Sequence, residues 1–178
     1  YHNANCKEKP VKPESNGIKV AVIGSGPSGL TCAGDLAKKG YEVTCFNRRG
    51  HHVSGQEFDV DELSEYKGIK LKSVFTIERK GFAAMTSSIF GAIKAAFGKY
   101  DVVHFHAEGP CAMLWLPKLF GKRCIATIHG LDHQREKWGR FASWYLKAGE
   151  KTALCMADRC FVLSQNMQGY AEKTYGRR

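Results

Sequence analysis

No apolar run in this 178-residue chain approaches the roughly 20 residues that a bilayer-spanning helix needs. No signal peptide is visible at the start and there is no low-complexity tract. The seven cysteines (Cys6, Cys32, Cys45, Cys111, Cys124, Cys155 and Cys160) contain no C-x-x-C pair. Their odd number, in an α/β pattern, argues for a reduced cytoplasm over a disulfide framework. Acid is scarce: 17 Asp and Glu against 27 Lys and Arg leave a formal charge of +10. That balance favours anionic partners such as phosphates, nucleotides or anionic lipid, or forms a generic solvated basic surface. None of the established nucleic-acid motifs is present, so no nucleic-acid partner is expected.

The most informative absence is a single carboxylate. Gly24-Ser25-Gly26-Pro27-Ser28-Gly29 follows the apolar run Val20 to Ile23 and precedes an alanine-rich helical stretch, the context of a dinucleotide-binding turn. Such a site expects an acidic residue about 20 positions on, to bind a ribose hydroxyl. Here the strand Glu42 to Phe46 runs instead into Asn47-Arg48-Arg49. Gly24 allows a tight turn, Gly26 lets the backbone approach a phosphate, and Gly29 lets the helix pack close to the sheet. Pro27 suits the first helical turn. Asn47 could still bond a ribose hydroxyl, whereas Arg48 and Arg49 favour a phosphate.

Residues 1–16 are polar and read as an arm or linker; residues 17–178 read as one Rossmann-like domain. Strands are expected at Lys19–Ile23, Glu42–Phe46, Ile69–Phe75, Val102–Phe105, Cys124–Ile128 and Cys160–Leu163. Helices are expected at Ser28–Lys39, Phe82–Phe97, Cys111–Phe120, Phe141–Ala157 and Gln165–Tyr175. The alternation implies an α/β fold: an open, mostly parallel sheet with helices on both faces. The stretch from Arg48 to Tyr66 is long, polar and irregular. Tyr1 at the start, and Arg177-Arg178 directly after a helical pattern, suggest a fragment of something longer.

In an open parallel sheet, ligands bind beyond the carboxyl ends of the strands. Arg48-Arg49-Gly50-His51-His52 forms either a compact cationic site or a solvated loop. His104 and His106 alternate along one strand and share a face. His104 reads as a satisfied buried histidine, while His106, Glu108 and Gly109 fall at the strand end, and Pro110 is placed to begin a helix. His129 ends the next strand, Gly130 permits an unusual backbone turn, and Asp132 is near enough to orient a histidine as general base. No Cys or carboxylate ligand spacing accompanies His104, His106, His129 and His133, so no metal site is expected. Trp138, Trp144 and Tyr145 lie among Lys137, Arg140, Lys147 and Lys151. This suits an anionic membrane surface or ordinary helix packing with snorkelling lysines, the favoured reading.

Two resemblances meet in the chain. Lys19 to Gly40 and Tyr41-Glu-Val-Thr44, within about residues 6–46, resemble the start of the FAD/NAD(P)-binding domain of NADPH-dependent glutamate synthase small subunits. In that family the turn binds the FAD pyrophosphate and a Glu stands where this chain has Asn47. From about Val43 to Arg178 the chain resembles the N-terminal domain of glycosyltransferase family 4, the rhamnosyltransferase-like members in particular. The segments are Cys45-Phe-Asn-Arg-Arg-Gly-His-His52, Tyr66-Lys-Gly-Ile-Lys-Leu-Lys72, Tyr100-Asp-Val-Val-His-Phe-His106, Thr127-Ile-His-Gly-Leu-Asp132 and Lys137-Trp-Gly139. This second resemblance implies half of a two-domain GT-B-type architecture, with a flavoprotein-like βαβ unit at 17–46 and an acceptor domain at 47–178. It implies a catalytic His129, with His106 and Gly109 in the same cleft and Arg48 and Arg49 facing it. It also implies a separate domain that binds the nucleotide-sugar.

The function expected is the acceptor-side domain of a nucleotide-sugar-dependent glycosyltransferase, incomplete for catalysis without its donor domain. A glycan or lipid-linked acceptor and peripheral attachment at the inner membrane face follow from it. The alternatives are an FAD- or NADP-binding oxidoreductase fragment and a ligand-free Rossmann chimera.

Overall fold

A computed structural model of the chain describes residues 13–24, 26–48, 64–79, 82–130 and 139–176. The centre of the structure is β1 (Lys19–Ile23), whose last four residues are buried. It pairs in parallel with β2 (Glu42–Arg48) on one side and β5 (Val102–His106) on the other. A strand flanked on both edges and covered on both faces needs a continuous apolar run, and Val20-Ala21-Val22-Ile23 supplies it. The Asp101 carboxylate accepts the Lys19 N–H at 2.8 Å, and the Asp101 N–H donates to the Lys19 carbonyl, so β1 and β5 start in register.

Seven strands form one sheet in the order β3-β4-β2-β1-β5-β6-β7. Here β3 is Glu65–Tyr66, β4 is Ile69–Val74, β6 is Arg123–Ile128 and β7 is Arg159–Val162. Every pairing is parallel except β3 with β4. The chain winds outward from β1 to β2 and β4, then crosses back to β5 and winds the other way. The reversal between β1 and β5 opens a crevice at their carboxyl ends.

The helices are α1 (Pro27–Lys38), α2 (Phe82–Phe97), α3 (Glu108–Cys111), α4 (Trp115–Leu119), α5 (Arg140–Met156) and α6 (Gln165–Tyr175). Strand alternation divides the core. Ala21, Ile23, Val103, Phe105, Ala126 and Ile128 pack with side chains of α2 to α6. Val20, Val22, Val43, Cys45 and Ile69 pack with Ala33, Leu36 and Ala37 of α1. Among the described residues α1 therefore has the second face to itself. No helix among them is long and apolar enough to cross a membrane.

Three expectations are corrected. β2 continues beyond Phe46, because Asn47 and Arg48 pair with Ser73 and Val74 of β4. The single helix expected over Cys111–Phe120 is two short ones, α3 and α4. Pro117, inside α4, has no N–H to donate to the Met113 carbonyl and its ring crowds that carbonyl, so the helix is interrupted one turn earlier, at 112–114. Pro110 accordingly lies inside α3, which begins at Glu108. The hairpin from β3 to β4 was not expected. It turns on Lys67 (φ 48°) and Gly68 (φ 83°), the paired positive values of a two-residue turn. Of the expected arm, residues 1–12 lie outside the described residues. Ser15 and Asn16 are tied to Glu42 and Gly40 by hydrogen bonds of 2.9 Å.

Gly149 of α5 presses against α3: a Cβ there would collide with the Glu108 carbonyl. Gly169 of α6 faces open space. Gly149→Ala should destabilise the chain by about 1–3 kcal/mol through overpacking. Gly169→Ala should stabilise it by up to about 1 kcal/mol through helix propensity. Denaturant unfolding of the two variants tests this opposition of sign.

Candidate functional site

The crevice between β1 and β5 is built around a missing side chain. Gly24 has φ 99°, and a Cβ there would lie 2.5 Å from the His106 carbonyl oxygen and 3.2 Å from the His106 Cβ. One turn into α1, a Cβ on Gly29 would collide with the Gly24 carbonyl. Both glycines thus have a steric cause in the protein itself. Gly26 does not: a Cβ would meet nothing within 4 Å. Gly26 is the N-cap of α1 without a side-chain cap, Pro27 follows it at the start of the helix, and no acidic residue stands in the first turn. Among the described residues no side chain caps the N–H groups of that turn, and with the helix dipole they suit an anion. Ser25 lies outside the described residues.

Three imidazoles line the crevice. The His104 and His106 rings are 4.2 Å apart, and the His106 and His129 rings stack at 5.9 Å with 17° between their planes. Strand alternation puts His104 and His106 on the α1 face, and the neighbouring strand β6 ends so that His129 joins them. His104 is satisfied as expected: Nε2 is 2.9 Å from Thr127 Oγ1 and Nδ1 is 3.5 Å from Cys32 Sγ. The His129 Nε2 lies 3.0 Å from Ser28 Oγ. His106 is buried, and neither ring nitrogen has a hydrogen-bond partner among the described residues. Burial holds the His106 imidazole down to about 4 and that of His104 to about 3, with the neighbouring histidines adding to the effect. Both rings are neutral at neutral pH. With Ser28, Cys32 and Thr127 they bound a cleft of about 560 Å³.

Not every expected residue arrives there. Asn47 lines a separate groove with Leu71 and Lys72, and its Oδ1 is buried without a partner among the described residues. Arg48 alternates onto the opposite face, that of Phe46. Gly109 sits in α3 with only Leu146 of α5 near its Cβ position. Gly130 has neither a positive φ nor a neighbour within 4 Å of a Cβ, so no unusual turn depends on it. Arg49, His51, His52, Asp132, His133 and Trp138 lie outside the described residues. Cys32, which lines the cleft, and Ala107, the residue after His106, carried no functional expectation. Cys32 had been placed among apolar helix positions. Ala107, between His106 and Glu108, holds φ 74° and ψ 160°, a conformation otherwise confined almost to glycine.

The aromatic stretch divides in two. Phe141 and Trp144 are 61% and 64% exposed, with rings 6.0 Å apart, beside exposed Lys147 and Lys151. Tyr145 turns inward and its hydroxyl is buried. Packing therefore accounts for Tyr145 and not for Trp144.

The family model for Glycosyltransferase Family 4 matches residues 22–178. The chain belongs to that family. Among solved structures it is similar to sucrose-phosphate synthase from Thermosynechococcus elongatus, with a TM-score of 0.63 at 17% identity, over 88% of this chain and 45% of that one. That likeness shows the fold. The glutamate synthase [NADPH] small chain of Bacillus subtilis (strain 168) is 28% identical over 81 residues, 46% of this chain and 16% of that protein. The thiamine thiazole synthase of Pyrobaculum arsenaticum is 53% identical over 36 residues, 20% of this chain and 14% of that protein. The family-4 chain thus spans less than half of the synthase structure and a small part of either curated relative.

The neutral histidines fix a pH dependence. In the unfolded chain each takes up a proton near its ordinary value of 6.5, whereas in the folded chain it does so only near 4 or 3. Protonation therefore favours the unfolded state. Stability should fall as the pH drops from about 6.5 towards about 4, each histidine contributing up to about 1.4 kcal/mol per pH unit. Urea unfolding in metal-free buffer from pH 7.5 to 4 tests this, and His106→Gln should reduce the slope.

Proposed function

We propose that this chain is the acceptor-side domain of its glycosyltransferase, with donor binding falling to a second domain. The observation that carries the reading is the position of His129. It directly follows β6 and lines the cleft, stacked on His106 and 3.0 Å from Ser28 Oγ. An imidazole there can accept the proton of an acceptor hydroxyl as it attacks the sugar. Ser28 fixes the ring, and His106 behind it presents an uncharged wall. The first N–H groups of α1 lie beside the same cleft and suit a phosphate of the donor or of a lipid-linked acceptor.

The exposed stripe of Phe141, Trp144, Lys147 and Lys151 on α5 supports an acceptor met at an anionic lipid surface. Aromatic rings enter the headgroup boundary while the lysines meet lipid phosphate. The chain should co-sediment with vesicles containing phosphatidylglycerol and release them as salt rises. Phe141→Ala with Trp144→Ala should cut the bound fraction several-fold, and equal binding by the double variant would remove the lipid part of the reading.

The catalytic part is tested with a family-4 donor domain joined after Arg178. His129→Ala should lower kcat by about 10²–10⁴-fold while the unfolding midpoint stays close to that of the parent. Turnover unaffected by the substitution would refute the assignment. A second reading is favoured by the match to the glutamate synthase small chain: a dinucleotide at the glycine turn. Thermal unfolding with FAD, NADP, UDP and nucleotide-sugars separates the two, since a ligand of the folded state raises the midpoint. The glycosyltransferase reading expects no saturable response to FAD or NADP.

A further inference from the structure

Helix α1 and strand β5 carry side chains at matched intervals. Positions 28 and 32 are one helical turn apart on the face of α1 that meets the sheet, and positions 104 and 106 share one face of β5. Ser28 thereby meets His129 and Cys32 meets His104. One donor atom each from Cys32, His104 and His106 lies within 4.8 Å of the other two. We propose that Cys32, His104 and His106 bind one zinc ion through a thiolate and two imidazoles, with the fourth position open to water in the cleft.

Three observations converge on it. The Cys32 Sγ to His104 Nδ1 separation of 3.5 Å matches the edge of a tetrahedral zinc site, about 3.5 Å for bonds of about 2.3 Å to sulfur and about 2.0–2.1 Å to nitrogen. The other nitrogen of His104 bonds Thr127 Oγ1 at 2.9 Å, the outer bond by which a ligating histidine is oriented. Finally, His106 is only 5% exposed yet has no partner for either nitrogen among the described residues. A buried imidazole in that state calls for an occupant. Sulfur with two imidazoles selects zinc over magnesium or calcium, which prefer oxygen ligands.

Binding is balanced by one proton. The Cys32 thiol releases it as the sulfur–zinc bond forms, and each neutral imidazole donates a lone pair without releasing one. The site differs from the expectation that no metal would be bound, because that expectation looked for a Cys or carboxylate at ligand spacing along the sequence, and Cys32 lies 72 positions from His104. It occupies the same cleft as the glycosyltransferase reading, but its test uses neither sugar nor acceptor and so fails or succeeds separately.

The test strips the chain with a chelator and titrates it with cobalt(II), then with zinc. Absorption should develop the bands of tetrahedral cobalt together with a thiolate-to-cobalt charge-transfer band, saturate at one equivalent per chain, and be abolished by zinc. Cys32→Ser should abolish the charge-transfer band, whereas Cys155→Ser, an exposed position on α5, should keep it. Thr127→Val should weaken zinc by about 10–100-fold by releasing His104. His106→Gln retains the thiol and should still lose the tetrahedral spectrum, which covers the case of a Cys32→Ser chain that fails to unfold cooperatively. A chain without a saturable cobalt spectrum, or a charge-transfer band that survives in folded Cys32→Ser, overturns the proposal.

Discussion

The contact between Gly24 and the His106 carbonyl governs the rest of the molecule. It lies where the first strand ends and the returning strand β5 ends beside it, and it leaves no room for a side chain. Because the two strand ends close to that distance, α1 must leave β1 at once, and Gly29 lets its first turn rest on the Gly24 carbonyl. The helix is thereby pressed onto the β5 face, which brings Ser28 and Cys32 within reach of His129 and His104. Had α1 stood away from the sheet by the width of a methyl group, neither pair would meet.

Much of the fold was legible because local and tertiary signals agree. β1, α2 and α6 have the limits that their apolar periodicity implies. For α6 the chemistry of the ends is also present: Ser164 Oγ accepts the Met167 N–H at 3.2 Å, and Gly176 closes the helix at φ 65°. The failures have local physical causes. Periodicity through Cys111–Phe120 is helical, but it does not weigh the proline inside it. Asn47 and Arg48 look like loop residues until β4 offers them partners, a contact between distant parts of the chain.

The site was legible in part for the same reason. Alternation along one strand is enough to place His104 and His106 together, and the strand-end rule brings His129 to them. Nothing in the spacing of Cys32 connects it to residues some 72 positions away, since that pairing depends on which face of α1 meets the sheet. The parity that separates Asn47 from Arg48 is likewise invisible until β2 is known to continue.

The crevice sets its terms as a surface. A family-4 sheet needs from its opening unit a parallel strand, a bare position at the strand end and a helix able to sit low. The stretch Lys19 to Gly40 meets those terms through Gly24 and Gly29. The joint is then a socket the size of one hydrogen atom. Any larger side chain in that socket would lift the helix from the returning strand and part it from the histidines there.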